Sequence, residues 1–338
     1  MKRAWWVAAW LGCAPAQAQA VLDVAAVPGL PQAARPAYAD YLLANLPRAL
    51  AIAGNGHLGW AAEPTLDGAR TKALDTCRAY GGTDCRLYAE NLDVVWPGLE
   101  QHAATPPPAL SSTLNFSIIP DERYFWHGPD KAAGVYVWLH GYAGPDRDLG
   151  GLQPQGHVRA FNNAGFDVVR FDREAKADQP MRAADWLRTQ LTALRVSGYR
   201  RVVVGGQSRG GWTSLQMLDT AGLADAVIAI SPAAHGAGSD GNLLGQSDDL
   251  RRMVDSVPPS AVRLALVQFE GDVFTSDPEV RLRLLEPLRA KIGALLVIDR
   301  PPGFVGHYGG EMPAFAPLYA NCLLRFVMDA TPVTSCGP

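Results

Sequence analysis

Two hydropathy regimes meet near residue 105 of the chain. Beyond it, short β-branched apolar runs alternate with stretches of helical periodicity, the pattern of a mostly parallel sheet covered on both faces. Strands are predicted at Leu114 to Ile119, Gly134 to Leu139, Phe166 to Phe171, Arg201 to Val204, Ala226 to Ile230, Leu264 to Phe269 and Ala294 to Ile298. Helices such as Met181 to Val196 and Trp212 to Asp219 fall between them. Residues 21 to 105 read instead as a small α+β module. It has a helix over Ala37 to Leu50, two short strands meeting at a turn within Ala51 to Trp60, and a second helix over Leu66 to Tyr80. Gly81-Gly82 stops that helix, and Cys85 to Trp96 follows as a strand segment interrupted at Glu90-Asn91. Pro106-Pro107-Pro108 marks a linker over residues 106 to 110, leaving 111 to 338 as the larger domain.

The first 20 residues stand apart. Met1-Lys2-Arg3, an apolar run from Ala4 to about Ala14 and the Ala-Gln-Ala-Gln-Ala that follows have the layout of a signal peptide, with cleavage after Ala18 or Ala20. The apolar run is shorter than the roughly 20 residues that span a bilayer, so a periplasmic or secreted protein without a membrane span is expected. Cys13 after Leu11-Gly12 leaves a lipid anchor as the lesser alternative. Export would place Cys77, Cys85, Cys322 and Cys336 in an oxidising compartment. Proximity favours Cys77 with Cys85 and Cys322 with Cys336, although four cysteines allow three pairings. Without paired CxxC spacing they call for no metal, and nothing else in the chain calls for a cofactor.

With 338 residues, 48% of them hydrophobic, a sizeable core can be buried. A net charge of −3 with dispersed Lys and Arg lacks the basic stripe that binds a phosphate backbone, which argues against nucleic acid as a partner. Oligomeric state is not legible.

The chemistry concentrates in Gly206-Gln207-Ser208-Arg209-Gly210, between the β-branched run Val202-Val203-Val204 and an apparent helix. A strand that turns sharply into a helix leaves no room for side chains at the flanking glycines and holds the serine in an exposed, strained position. The helix start then lies where an acyl-transfer oxyanion would develop. Upstream, Gly134 to Leu139 runs into His140-Gly141-Tyr142, a strand followed by a His-Gly loop.

Over residues 111 to about 330 the chain resembles the α/β-hydrolase family, and residues 21 to 105 resemble a small cysteine-bearing module of exported bacterial proteins. The hydrolase resemblance implies a doubly wound, mostly parallel sheet and a serine hydrolase acting on a carboxylic ester. It also implies Ser208 as nucleophile, an oxyanion hole from the N–H groups of Tyr142 and Arg209, and a later acid and histidine in that order. Asp272 just beyond one strand and His307 in the Gly-rich loop after the next fit those places. Asp277 and Glu270 compete as the acid, and His235 as the base. His140 reads as a loop-shaping residue, while His57, His102, His127 and His157 fit no catalytic place. Trp138 and Trp212, with Tyr142, are candidates for a substrate-binding platform. The Gly-rich stretch from Ser231 to about Leu250 is a candidate lid.

A small-molecule or polymeric ester is the expected substrate. Peptidase, thioesterase and polyester depolymerase activity would use the same residues. A non-catalytic binding module on this fold is the alternative from another class, whereas a nucleotide-binding oxidoreductase would leave Ser208 without a purpose.

Overall fold

The computed structural model describes residues 20–235, 243–275 and 277–337. The expected signal peptide, including Cys13, lies outside these apart from Ala20. The N-terminal part forms α1 (Arg35–Leu43), β1 (Arg48–Ile52), β2 (Leu58–Ala62), α2 (Leu66–Ala79), β3 (Arg86–Glu90) and β4 (Asp93–Val94). Its strands make one antiparallel sheet in the order β2-β1-β3-β4, with α2 packed on β1 and β2. The helix expected over Ala37 to Leu50 ends at Leu43. Pro47 cannot continue a helix and disfavours helical geometry at Leu46, so Arg48 to Ile52 leave as a strand.

The larger part contains β5 (Ser111–Ser112), β6 (Phe116–Pro120), β7 (Gly134–Leu139), α3 (His157–Asn163), β8 (Phe166–Arg173), α4 (Pro180–Val196), β9 (Val202–Gln207) and α5 (Arg209–Leu215). It continues through β10 (Ala226–Ile230), α6 (Leu243–Ser256), β11 (Arg263–Gln268), α7 (Pro278–Leu285), β12 (Ala294–Asp299) and α8 (Phe315–Met328). The sheet order is β12-β11-β10-β9-β7-β8-β6-β5. Strands β7 to β12 run parallel, while β5 and β6 pair antiparallel. This is the α/β-hydrolase fold expected from the sequence. The chain steps from β7 outward to β8 and back across β7 to β9, so the loops after β7 and β9 emerge side by side at the carboxyl edge, where such sheets carry their sites.

Both faces are dry. Val135, Val137 and Leu139 of β7 point into the core under α4, α5, α6 and α7, while Tyr136 and Trp138 point into the core under α3 and α8. The Gly-rich stretch to about Leu250, a candidate lid, is helix α6 from Leu243 onward, and residues 236–242 lie outside the described ones. Disulfides Cys77–Cys85 and Cys322–Cys336 are formed, the first closing α2 on β3 and the second tying α8 to the C-terminal tail. Among the described residues no helix is long and apolar enough to cross a membrane.

The two sheets are clamped together. Leu46 and Gln153 exchange two hydrogen bonds (2.9 and 3.2 Å), Asn163 Nδ2 donates to Leu42 O (2.9 Å), and Phe125 completes the apolar core of the N-terminal part. Arg48, fully buried, holds the α1–β1 connection. Its Nη1 donates to the carbonyls of Tyr41 (2.6 Å), Leu42 (2.9 Å) and Ala44 (3.0 Å), its Nε donates to Asn91 O (3.2 Å), and its guanidinium lies over the Tyr41 ring. Arg48→Met would remove these charge-assisted hydrogen bonds from the interior, at a cost of about 3 kcal/mol. Chemical denaturation followed by tryptophan fluorescence should show that loss.

Candidate active site

Ser208 sits between β9 and α5 at φ 55° and ψ −121°, a conformation that non-glycine residues rarely adopt. Surrounding contacts hold it there: its N–H donates to Ile230 O (3.0 Å), and its carbonyl accepts from Trp212 N (2.9 Å) and Ala233 N (3.1 Å). The glycines on either side are required by space. A Cβ on Gly206 or Gly210 would run into the carbonyl oxygen of Leu139, and on Gly210 it would also fall 2.5 Å from His140 O. The end of β7 is therefore pressed against the serine turn. Gly141 continues this contact, since a Cβ there would lie 2.9 Å from Gln207 Oε1 and 3.4 Å from Ser208 Cβ. Tyr142 and Arg209 follow these contacting residues, and the Arg209 guanidinium lies 5.3 Å from the Tyr142 ring centroid. Among the described residues, neither backbone N–H is engaged by another group.

His140 shapes this loop, as expected. Its Nε2 accepts from Arg173 N (3.1 Å) and its Nδ1 approaches Gly141 O (2.7 Å), which makes Nδ1 the protonated nitrogen. Burial, reinforced by the Arg173 charge, pushes its pKa down to about 3, so it stays neutral.

On the other side of Ser208, His307 and Asp272 are buried together, with His307 Nδ1 2.9 Å from Asp272 Oδ1. A hydrogen bond to the carboxylate assigns the proton to Nδ1 and leaves Nε2 an acceptor; Nε2 is buried and has no partner among the described residues. The His307 loop is hooked to the sheet twice: Gly306 N donates to Glu270 O (2.7 Å), and Gln207 Nε2, beside Ser208, donates to His307 O (3.2 Å). The Phe274 ring packs on the imidazole at 4.2 Å between centroids, and Phe274 N donates to Asp272 Oδ1 (2.9 Å). Burial opposes charge on Asp272. The hydrogen bond and charge of His307, the Phe274 N–H and the Arg281 cation outweigh it and hold the carboxyl below its ordinary range. Arg281, on α7, is itself fully enclosed; burial lowers its pKa to about 10 and Asp272 opposes the shift.

The competing residues go elsewhere. Asp277 caps α7 through Val280 N (3.0 Å), and the exposed Glu270 uses its backbone to bridge Val305. His235 Nε2 lies 2.6 Å from Asp249 Oδ2 on α6, in a partly exposed pair. His157 hydrogen-bonds the Tyr136 hydroxyl (3.1 Å) in the core. Trp138 does not form a substrate platform: its position on β7 turns it into the core under α3 and α8, 3% exposed. Trp212, at 8%, packs beneath α6 beside Arg281 instead of beside Tyr142. Sequence reading missed Gln207, Phe274 and Arg281. Gln207 lies inside the motif and was legible as a neighbour of the serine, whereas Arg281 reaches Asp272 only through the packing of α7. Among the described residues, no cluster of three or more His, Cys, Asp or Glu is arranged to hold a metal ion.

No family model matches the chain, and no curated protein matches it. Among solved structures, an esterase from Pyrococcus furiosus is similar at 14% identity, covering 62% of this chain and 84% of its own, with a TM-score of 0.43. An acylaminoacyl peptidase from Pyrococcus horikoshii is similar at 17% identity, covering 66% of this chain and 41% of its own, with a TM-score of 0.47. A puromycin-hydrolyzing peptidase from Mycobacterium tuberculosis shares 16% identity over 65% of this chain and 39% of its own, at 0.45. The chain thus spans about two fifths of the length of both peptidases.

The depressed Asp272 carboxyl has a pH signature. An unfolded aspartate titrates near about 3.9. A folded value below that stabilises the fold above the unfolded value, and the stabilisation is lost as pH falls through the folded value. Asp272→Asn should therefore be less stable at pH 7 and lose less further stability below about pH 4. Denaturant titrations from pH 3 to 7 measure both.

Proposed function

We propose that the chain is a serine hydrolase that forms an acyl-enzyme on Ser208, with His307 as base, Asp272 as its orienting carboxylate and carboxylic esters as substrates. The observation that carries this reading is the buried His307: Nδ1 faces Asp272, Nε2 is unspent, and the loop is hooked to Gln207 beside a strained serine.

A serine hydroxyl is a weak nucleophile until a base takes its proton. Here His307 Nε2 accepts the Ser208 proton as Oγ bonds to the carbonyl carbon, and the carbonyl electrons move to oxygen. The N–H groups of Tyr142 and Arg209 receive that oxyanion. Collapse breaks the bond to the leaving group, which takes the proton from His307. Water then repeats the sequence in reverse and releases the acid. Asp272 keeps the imidazole in one tautomer and stabilises it while it is charged. Amide and thioester substrates would enter by the same steps, and the leaving group distinguishes them. The basic and apolar start of the chain and its two disulfides support export to a periplasmic or extracellular location.

A fluorophosphonate probe should label the protein and not Ser208→Ala. With 4-nitrophenyl butyrate, Ser208→Ala and His307→Ala should each lower kcat by roughly 10⁴-fold or more, and His235→Ala by less than about twofold. Full turnover by Ser208→Ala would overturn the proposal. A panel of matched esters, thioesters and anilides reads the substrate class.

A further inference from the structure

The loops around Tyr142 and Arg209 hold a charge imbalance that acyl transfer itself does not use. Arg173 is fully buried, its Nη2 donating to His140 O (2.6 Å) and Gly141 O (3.2 Å), and its Nε lies 3.1 Å from Asp178 Oδ1. Those contacts occupy Arg173 and Asp178 with each other and with the loop after β7. Arg209 stands beside them with its guanidinium half-buried over the Tyr142 ring. Among the described residues it makes neither a hydrogen bond nor a close ion pair through that group. Burial works against its charge and Asp178 is the acid that opposes this, but Arg173 draws on the same carboxylate. Two guanidiniums thus face one carboxylate. Among the described residues, the surrounding groups do not redress this. His140 is neutral, and Asp121 and Asp172 are met by Arg123 and Arg170.

A partly desolvated cation with idle N–H donors is costly unless an anion completes it. Arg209 is covalently next to Ser208, and its guanidinium lies over the ring of Tyr142, which is 37% exposed. A molecule with a carbonyl at Ser208 would lie next to the residue that carries this group.

We infer that Arg209, supported by Tyr142, is an anion subsite, and that the preferred substrates are esters carrying a carboxylate close to the scissile carbonyl. The inference rests on the proposed role of Ser208. A guanidinium offers two parallel N–H donors to a carboxylate, a fit that a lysine ammonium does not reproduce. Asp178 limits the excess charge at Arg209.

The test uses two matched pairs of aryl esters. One pair is the 4-nitrophenyl monoester of adipic acid and its methyl ester, with the charge on the acyl side. The other is 4-carboxyphenyl butyrate and its methyl ester, with the charge on the leaving group. In at least one pair the wild-type protein should favour the carboxylate about tenfold or more in kcat/KM. Arg209→Gln should cut that ratio at least about fivefold, Arg209→Lys should restore part of it, and Asp178→Asn should raise it. Unfolding curves of each variant establish that the folds are intact. Calorimetric titration of Ser208→Ala with each of the two carboxylate esters reads binding without turnover, and adding Arg209→Gln should weaken at least one of them about tenfold. Ratios at or below one in both pairs, or both titrations unaffected by Arg209→Gln, would overturn the subsite. If the probe labels Ser208 while both ratios stay at one, the subsite fails and the hydrolase reading stands. If Ser208 is inert but a titration still depends on Arg209, the hydrolase reading fails and the subsite stands.

Discussion

The contact that the rest of the molecule depends on is between two backbones. The Leu139 carbonyl at the end of β7 occupies the space that a Cβ on Gly206 or Gly210 would need. Only with glycine at both positions can the serine turn close against the neighbouring strand, and only then does the His140-Gly141 loop reach Ser208. Close packing leaves no slack for a compensating shift, since apolar side chains cover the sheet on both faces. The strained Ser208 backbone is the local expense of this closure, held by hydrogen bonds from Trp212 and Ala233 and to Ile230.

The same closure organises the imidazole. Gln207 points its amide at the His307 carbonyl, so the residue beside the nucleophile also anchors the loop that carries the base. Asp272 is then enclosed with His307, Phe274 and the cation of Arg281. Enclosure penalises an isolated carboxylate, and the neighbours that offset the penalty are the ones that hold the histidine in register. The site's electrostatics are therefore built from buried compensations, which salt screens much less than it screens surface pairs. Arg209 differs in kind, because among the described residues its guanidinium makes no close ion pair.

The N-terminal sheet belongs to this framework as well. Its connection through Leu46 grips Gln153, Leu42 receives Asn163, and Phe125 enters its core. Residues Gln153 to Asn163 lead into and form α3, one of the two helices covering a sheet face under the site. The small sheet thereby buttresses the larger one.

The sequence by itself determined what short-range physics can encode. Hydrophobic period and glycine punctuation act between neighbours, so β7, β10, α2 and the strand–serine–helix turn could be read directly. The same locality explains the errors. The helix running to Leu50 overlooked a proline three residues earlier, and α6 was hidden behind the glycines that precede it. Trp138 looked like a platform because a lone aromatic beside a motif carries no sign of which sheet face it joins. Which carboxylate meets His307 was decided only by the tertiary structure. Asp272 and Asp277 are five positions apart and chemically identical, and the α7 start claims one as a cap while the β11 turn aims the other inward. Arg281 reaching Asp272, Arg48 gathering four carbonyls, and Arg209 sharing Asp178 with Arg173 are decided in the same way. Each links segments brought together by sheet order and helix packing, and no local pattern records the distance between them.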